Sequence, residues 1–114
     1  MTGRVSIREA DFDLSAEVAA LREGDAGVGA VVAFVGTVRE HGSGRPLSGM
    51  ELEHYSGMTE SAIEAMIDAA LQRFDIRAAR VVHRVGPLAP LDQIVLVAVT
   101  SAHRGAAFQA CEFL

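Results

Sequence analysis

Two stretches of this chain end in side chains suited to holding an anion. Arg39 closes an apolar run and opens a glycine-containing loop that also carries His41 and Arg45. His103 and Arg104 stand where a second apolar run gives way to a helical pattern. Arginine offers a planar fork of N–H donors that fits phosphate or carboxylate. A helix N-terminus adds unpaired backbone N–H groups and partial positive charge. If the two ends converge, they form an anion site in a protein whose formal net charge is −5. The alternative is that each arginine is a surface charge paired with Glu40, Glu112 or a similar neighbour.

Other chemistries fit the residues less well. Gly42-Ser43-Gly44-Arg45 lacks the lysine and hydroxyl of a phosphate loop, and there is no dinucleotide fingerprint. His41, His54, His83 and His103 are scattered without ligand spacing, so neither a metal ion nor a cofactor is expected. Glu51 and Glu53 share a strand face, where such pairs are usually solvated. A hydrolase combining them with His54 is disfavoured, because adjacent strand residues point to opposite faces. Cys111 falls beside Ala107, Phe108 and Leu114 on one helix face and reads as a packing thiol.

The elements that must hold these groups fit one domain spanning all 114 residues. Half of the chain is hydrophobic, enough for a real core. The longest apolar run, residues 28–35, is far short of the roughly 20 that span a membrane. No secretory leader is read, and a single cysteine cannot form an internal disulfide, so a cytoplasmic location is expected. The acidic balance argues against a nucleic-acid binder. All ten basic residues are arginine; lysine is absent.

Hydrophobic period then orders the elements. Residues 4–8 alternate as a strand. Leu14, Val18 and Leu21 mark a short helix capped by Asp13 or Ser15. Residues 28–38 read as a strand covered on both faces. Residues 40–46 are turn-rich, and 48–55 alternate again. Residues 59–74 form the clearest helix, with Ile63, Met66, Ile67, Ala70 and Phe74 on one stripe. Strands over 79–85 and 94–100 come next, joined by a Gly86-Pro87…Pro90 connection, and a last helix starts after Ser101. The order is βαββαββα, an α+β pattern. Strands apolar on both faces need a second covering layer, so a homodimer is expected. The final helix stops in mid-pattern at Leu114, and the natural chain is expected to continue.

Four blocks carry a resemblance: Phe34-Val35-Gly36-Thr37-Val38-Arg39, Leu52-Glu53-His54-Tyr55-Ser56-Gly57-Met58, His83-Arg84-Val85-Gly86 and Val99-Thr100-Ser101-Ala102-His103-Arg104. In that order they resemble the large, catalytic subunit family of molybdopterin synthase, across nearly the whole chain. The resemblance implies an α/β-hammerhead fold with a mostly antiparallel sheet and a homodimer. It implies a small ubiquitin-like sulfur carrier on each subunit, making a heterotetramer. The carrier's C-terminal Gly-Gly tail bears a thiocarboxylate; the substrate is cyclic pyranopterin monophosphate, precursor Z; the product is the dithiolene of molybdopterin. The enzyme itself is not expected to hold a metal.

Residue by residue, Arg39 matches a catalytic position, His103 and Arg104 match pterin-phosphate positions, and Phe34 matches an active-site wall. His41 and Arg45 are further substrate-binding candidates, while His54 and Tyr55 read as structural. Two departures stand out. The family carries two lysines in a basic segment after the final helix, and these residues hold none. Leu91 stands where family members commonly have glycine, before the acidic residue matched by Asp92. The competing reading is a non-catalytic, anion-binding regulatory dimer of ferredoxin-like arrangement.

Overall fold

The computed structural model describes residues 4–39, 50–52 and 58–114. The elements are β1 (Val5–Arg8), α1 (Leu14–Arg22), β2 (Ala30–Thr37), β3 (Met50–Leu52), α2 (Met58–Arg73), β4 (Ala78–Arg84), β5 (Gly86–Leu88), β6 (Gln93–Ser101) and α3 (Arg104–Phe113). The expected loop carrying His41 and Arg45 lies outside the described residues, as do His54 and Tyr55.

The sheet corrects one expectation. Its strand order is β1-β4-β6-β2, and it is mixed rather than mostly antiparallel. β1 pairs parallel to β4, whereas β6 runs antiparallel to both β4 and β2. The cause is connectivity. β1, β2 and β4 all run the same way, because a helical crossover returns the chain to start its next strand in the same direction. A second correction concerns the connection after β4. Gly86-Pro87-Leu88 is itself a strand, β5, which pairs antiparallel with β3 in a separate two-stranded sheet. Gly86 makes the break between sheets at φ +84°, a left-handed conformation open to glycine. The order is therefore βαβ, βα, βββα rather than βαββαββα.

β6 is covered on both faces, as its two apolar rows require. Leu96 and Ala98 pack with Phe12 and Val82 on the α1 side. Val97 and Val99 pack with Ile67 and Ala70 of α2 and with Ala107, Ala110 and Cys111 of α3 on the other. Within one chain β2 is covered over only part of its length, with Val32 and Val35 packed against the two core clusters. It is the sheet edge, with Ala33 exposed and Phe34 55% exposed. Its Val-rich composition records apolarity and says nothing of which layer supplies the cover; α1 packs over β4 and β6.

The helices are fixed by caps and ion pairs. Asp13 caps α1 by accepting the Ala16 N–H at 3.1 Å. Arg80 of β4, nearly buried, meets Glu17 of α1 at 3.0 Å. Arg4 bonds Glu64 and, at 2.9 Å, Asp68, tying α2 to the start of β1. On α2, Ile67 and Ala70 are fully buried, but Met66 from the expected stripe is 41% exposed. On α3, Ala107 and Cys111 face the core as expected; Phe108 does not, and Ala110 takes the buried position instead.

Candidate functional site

Arg39 leaves the sheet one residue beyond Val38, which is 2% exposed. Val38 donates its N–H to the Asp92 carbonyl at 2.9 Å and accepts the Leu91 N–H at 2.8 Å. Arg39 itself is exposed, and among the described residues its guanidinium makes no ion pair. At the same end of the sheet, Arg84 donates to the Glu9 carbonyl and, at 3.0 Å, to the Gln93 carbonyl. That arginine is engaged in holding three strand ends together.

His103 and Arg104 stand at the start of α3. Ser101, almost fully buried, donates its hydroxyl to the Asp75 carbonyl at 2.8 Å and accepts the His103 N–H at 3.3 Å. Gly29 donates to the Ser101 carbonyl at 2.9 Å. His103 is the N-cap residue, yet its side chain makes no capping bond. Arg104 is the first helical residue, and the first turn carries no acidic side chain. An arginine there adds positive charge to the positive end of the helix dipole, the reverse of what stability favours. The exposed backbone N–H groups and the two side chains are of the kind that can hold an anion.

The two ends do not converge within one chain. Ala30 lies opposite Ser101 and Thr37 opposite Gln93. Arg39 therefore emerges at one end of the β2–β6 ladder, and His103 and Arg104 at the other. The strand between them, Ala30–Thr37, spans about 23 Å at 3.3 Å per residue step.

Phe34 lies between these ends, in mid-strand. It lines a groove of about 680 Å³ with Val32, Val97, Phe108, Cys111 and Leu114. The groove is apolar, with Glu112 as its charged member. The Cys111 thiol lies 3.8 Å from the Val97 carbonyl, and burial pushes its pKa up. A thiol held protonated is a packing group, in keeping with its sequence reading. Among the described residues no cluster of His, Cys, Asp or Glu could hold a metal ion.

Residues 7–114 match the family model described as MoaE protein. The chain belongs to the MoaE protein family. A molybdopterin synthase catalytic subunit from Ralstonia nicotianae is 60% identical over 110 residues, covering 96% of this MoaE chain and 62% of that relative. The molybdopterin cofactor biosynthesis protein E of Burkholderia multivorans superposes with a TM-score of 0.88 at 51% identity, over 99% of this chain and 73% of the other. A chain of the Staphylococcus aureus molybdopterin synthase crystal structure superposes with a TM-score of 0.90 at 30% identity, over 99% and 81%. This MoaE sequence thus spans about three-fifths to four-fifths of the length of these relatives.

Three backbone features of this MoaE chain lie beside the two ends. Gly29 approaches Ala102 so closely that a β-carbon would lie 2.2 Å from the Ala102 oxygen. Leu91 adopts φ +77°. Asp92 bonds the Ala89 N–H through its carboxylate at 2.8 Å. The resemblance marked positions 91 and 92; nothing in the sequence pattern marked Gly29.

Proposed function

We propose that this chain is the catalytic subunit of molybdopterin synthase. It transfers sulfur from the thiocarboxylated Gly-Gly end of a small ubiquitin-like carrier to precursor Z, twice, to make the dithiolene of molybdopterin. The observation that carries the reading is the 60% identity over 110 residues to a protein named for that role. On this reading the fold is the α/β-hammerhead, and the enzyme works in the cytoplasm.

The pterin site is shared between two protomers of a homodimer. Arg39 and the His103–Arg104 pair belong to opposite ends of one ladder, so a single substrate meets all three only if a second copy brings its own end alongside. The open edge of β2, with Phe34 exposed, gives the dimer apolar surface to cover. His103 and Arg104 hold the substrate phosphate together with the α3 N–H groups, each charge-assisted bond contributing about 1.5–3 kcal/mol. Arg39 of the partner subunit orients the pterin and stabilises charge that develops as the carbon–sulfur bond forms. Phe34 supplies an apolar wall. His41 and Arg45 are further phosphate contacts on this reading. These residues contain no lysine, so they bind and orient the pterin and do not themselves supply an amine to the carrier's tail.

The test is turnover by the whole protein with its thiocarboxylated carrier and precursor Z. Molybdopterin is the expected product, and Arg39→Ala is expected to slow its formation about 10²-fold. No product with both partners intact overturns the reading. Phosphate binding without turnover would instead support the regulatory dimer.

A further inference from the structure

We infer that Asp92 is a positioning residue for Arg39, acting through a strained turn and the backbone of Val38. The inference rests on the role given to Arg39 above. Three irregularities meet at this one point of the sheet. The register of β2 against β6 shifts between Gly36 and Thr37, where Gly36 faces Val95 and Thr37 faces Gln93, leaving Ile94 unmatched. The extra residue is in β6, so the bulge bends the start of that strand, where Gln93 meets the end of β2. Leu91 adopts φ +77° as the third residue of the turn running from Ala89 to Asp92, a position that type II geometry reserves for glycine. And Val38 has both backbone groups bonded to that turn.

Asp92 is what closes the turn. Its N–H donates to the Ala89 carbonyl at 3.0 Å, and its carboxylate accepts the Ala89 N–H at 2.8 Å. Its own carbonyl then accepts the Val38 N–H. The carboxylate thus opposes the tendency of a left-handed leucine to open the turn, and the closed turn grips Val38. Arg39 is the next residue. Among the described residues no ion pair holds its guanidinium, so the backbone that Val38 anchors fixes the point from which the side chain reaches.

The experiment uses the whole protein with its carrier and measures kcat and KM for precursor Z together with amide exchange. Asp92→Ala is expected to lower kcat about 10- to 100-fold, as small misplacements of a reacting group do. Asp92→Asn keeps a carbonyl acceptor and is expected to stay within about threefold of the native enzyme. In an Arg39→Ala background, Asp92→Ala is expected to add less than about a twofold further loss, because the two act as one unit. The Val38 amide should exchange faster in Asp92→Ala, while that of Val32 in mid-strand does not. If Asp92→Ala does not fold, Asp92→Glu carries the same comparison with the charge retained and the oxygens displaced. An equal slowing with and without Arg39, or unchanged Val38 exchange, overturns the inference. Turnover that depends on Arg39 but not on Asp92 removes this inference alone. Turnover indifferent to Arg39 removes the reading beneath it as well.

Discussion

Gly29 lies directly under the carbonyl of Ala102, so near that a β-carbon at position 29 would sit 2.2 Å from that oxygen. The neighbour is backbone, not the loose end of a side chain, and it belongs to the turn that launches α3. The same glycine donates its N–H to Ser101. Gly29→Ala must therefore push either β2 or the start of α3. The expected cost is about 1–3 kcal/mol, the range for overpacking a close contact, read as a lower urea midpoint. Because His103 and Arg104 sit at that helix start, phosphate affinity should fall with it. A variant as stable as the native chain would show that the approach is not close in solution.

Leu91 is 87% exposed and left-handed, so its side chain buries nothing to offset its backbone. A non-glycine residue in this conformation costs roughly 1–2 kcal/mol, while glycine adds about 0.5–1 kcal/mol of unfolded-state entropy. Leu91→Gly is therefore expected to raise the urea midpoint at unchanged slope. Turnover should be retained, since the turn keeps its shape and Asp92 its bonds. A lower midpoint would mean that leucine makes a contact in solution worth more than the strain.

Period alone was enough for α2 and β6, because a stripe of Ile63, Ile67 and Ala70 or two apolar rows in Leu96–Val99 report burial directly. It failed where burial is shared with something outside the pattern. β1 is four residues long, and its alternation holds no record of whether its partner runs parallel. β5 is Gly-Pro-Leu, and glycine with proline reads as a loop until Met50–Leu52 is seen across from it. The cations of the site were visible as strand-end residues, but their convergence was not decided by type. Once β2 and β6 pair antiparallel, the residues just past each strand must leave from opposite ends of the ladder. That single topological fact puts Arg39 and the His103–Arg104 pair at opposite ends of one ladder.

Asp11 ties the β1–α1 connection to β6. Its carboxylate accepts from the Gln93 side-chain amide at 2.9 Å and from the Phe12 N–H at 2.8 Å, and lies 3.8 Å from Arg84. The Gln93 bond first, then the Phe12 bond and the Arg84 charge, lower its pKa. The folded chain therefore releases this proton at lower pH than the unfolded chain, whose aspartates titrate near ~3.9. The stabilisation is present above that value and is lost as pH falls through the lower, folded one. Asp11→Asn should flatten the decline of the urea midpoint between about pH 5 and pH 3. The carboxylate is mostly exposed, so the change will be modest. An identical acid limb in both proteins would show that the bonds to Gln93 and Phe12 do not discriminate between charge states.

The proposal that two protomers share the pterin site makes its own prediction in mixed dimers. Arg39→Ala and Arg104→Ala protomers should each give nearly inactive homodimers, since every site then lacks one guanidinium. Mixing them produces heterodimers in which one of the two sites takes Arg39 from one chain and Arg104 from the other, and so is intact. With random reassortment, half the dimers carry one good site of two, and activity should return to about a quarter of the native level. A site built within one chain gives no such recovery, because each protomer then carries its own lesion into its own site. Mixed dimers that reassort, verified by mass, yet stay as slow as their parents would end the shared-site reading and leave about 23 Å of strand between Arg39 and any phosphate held by His103.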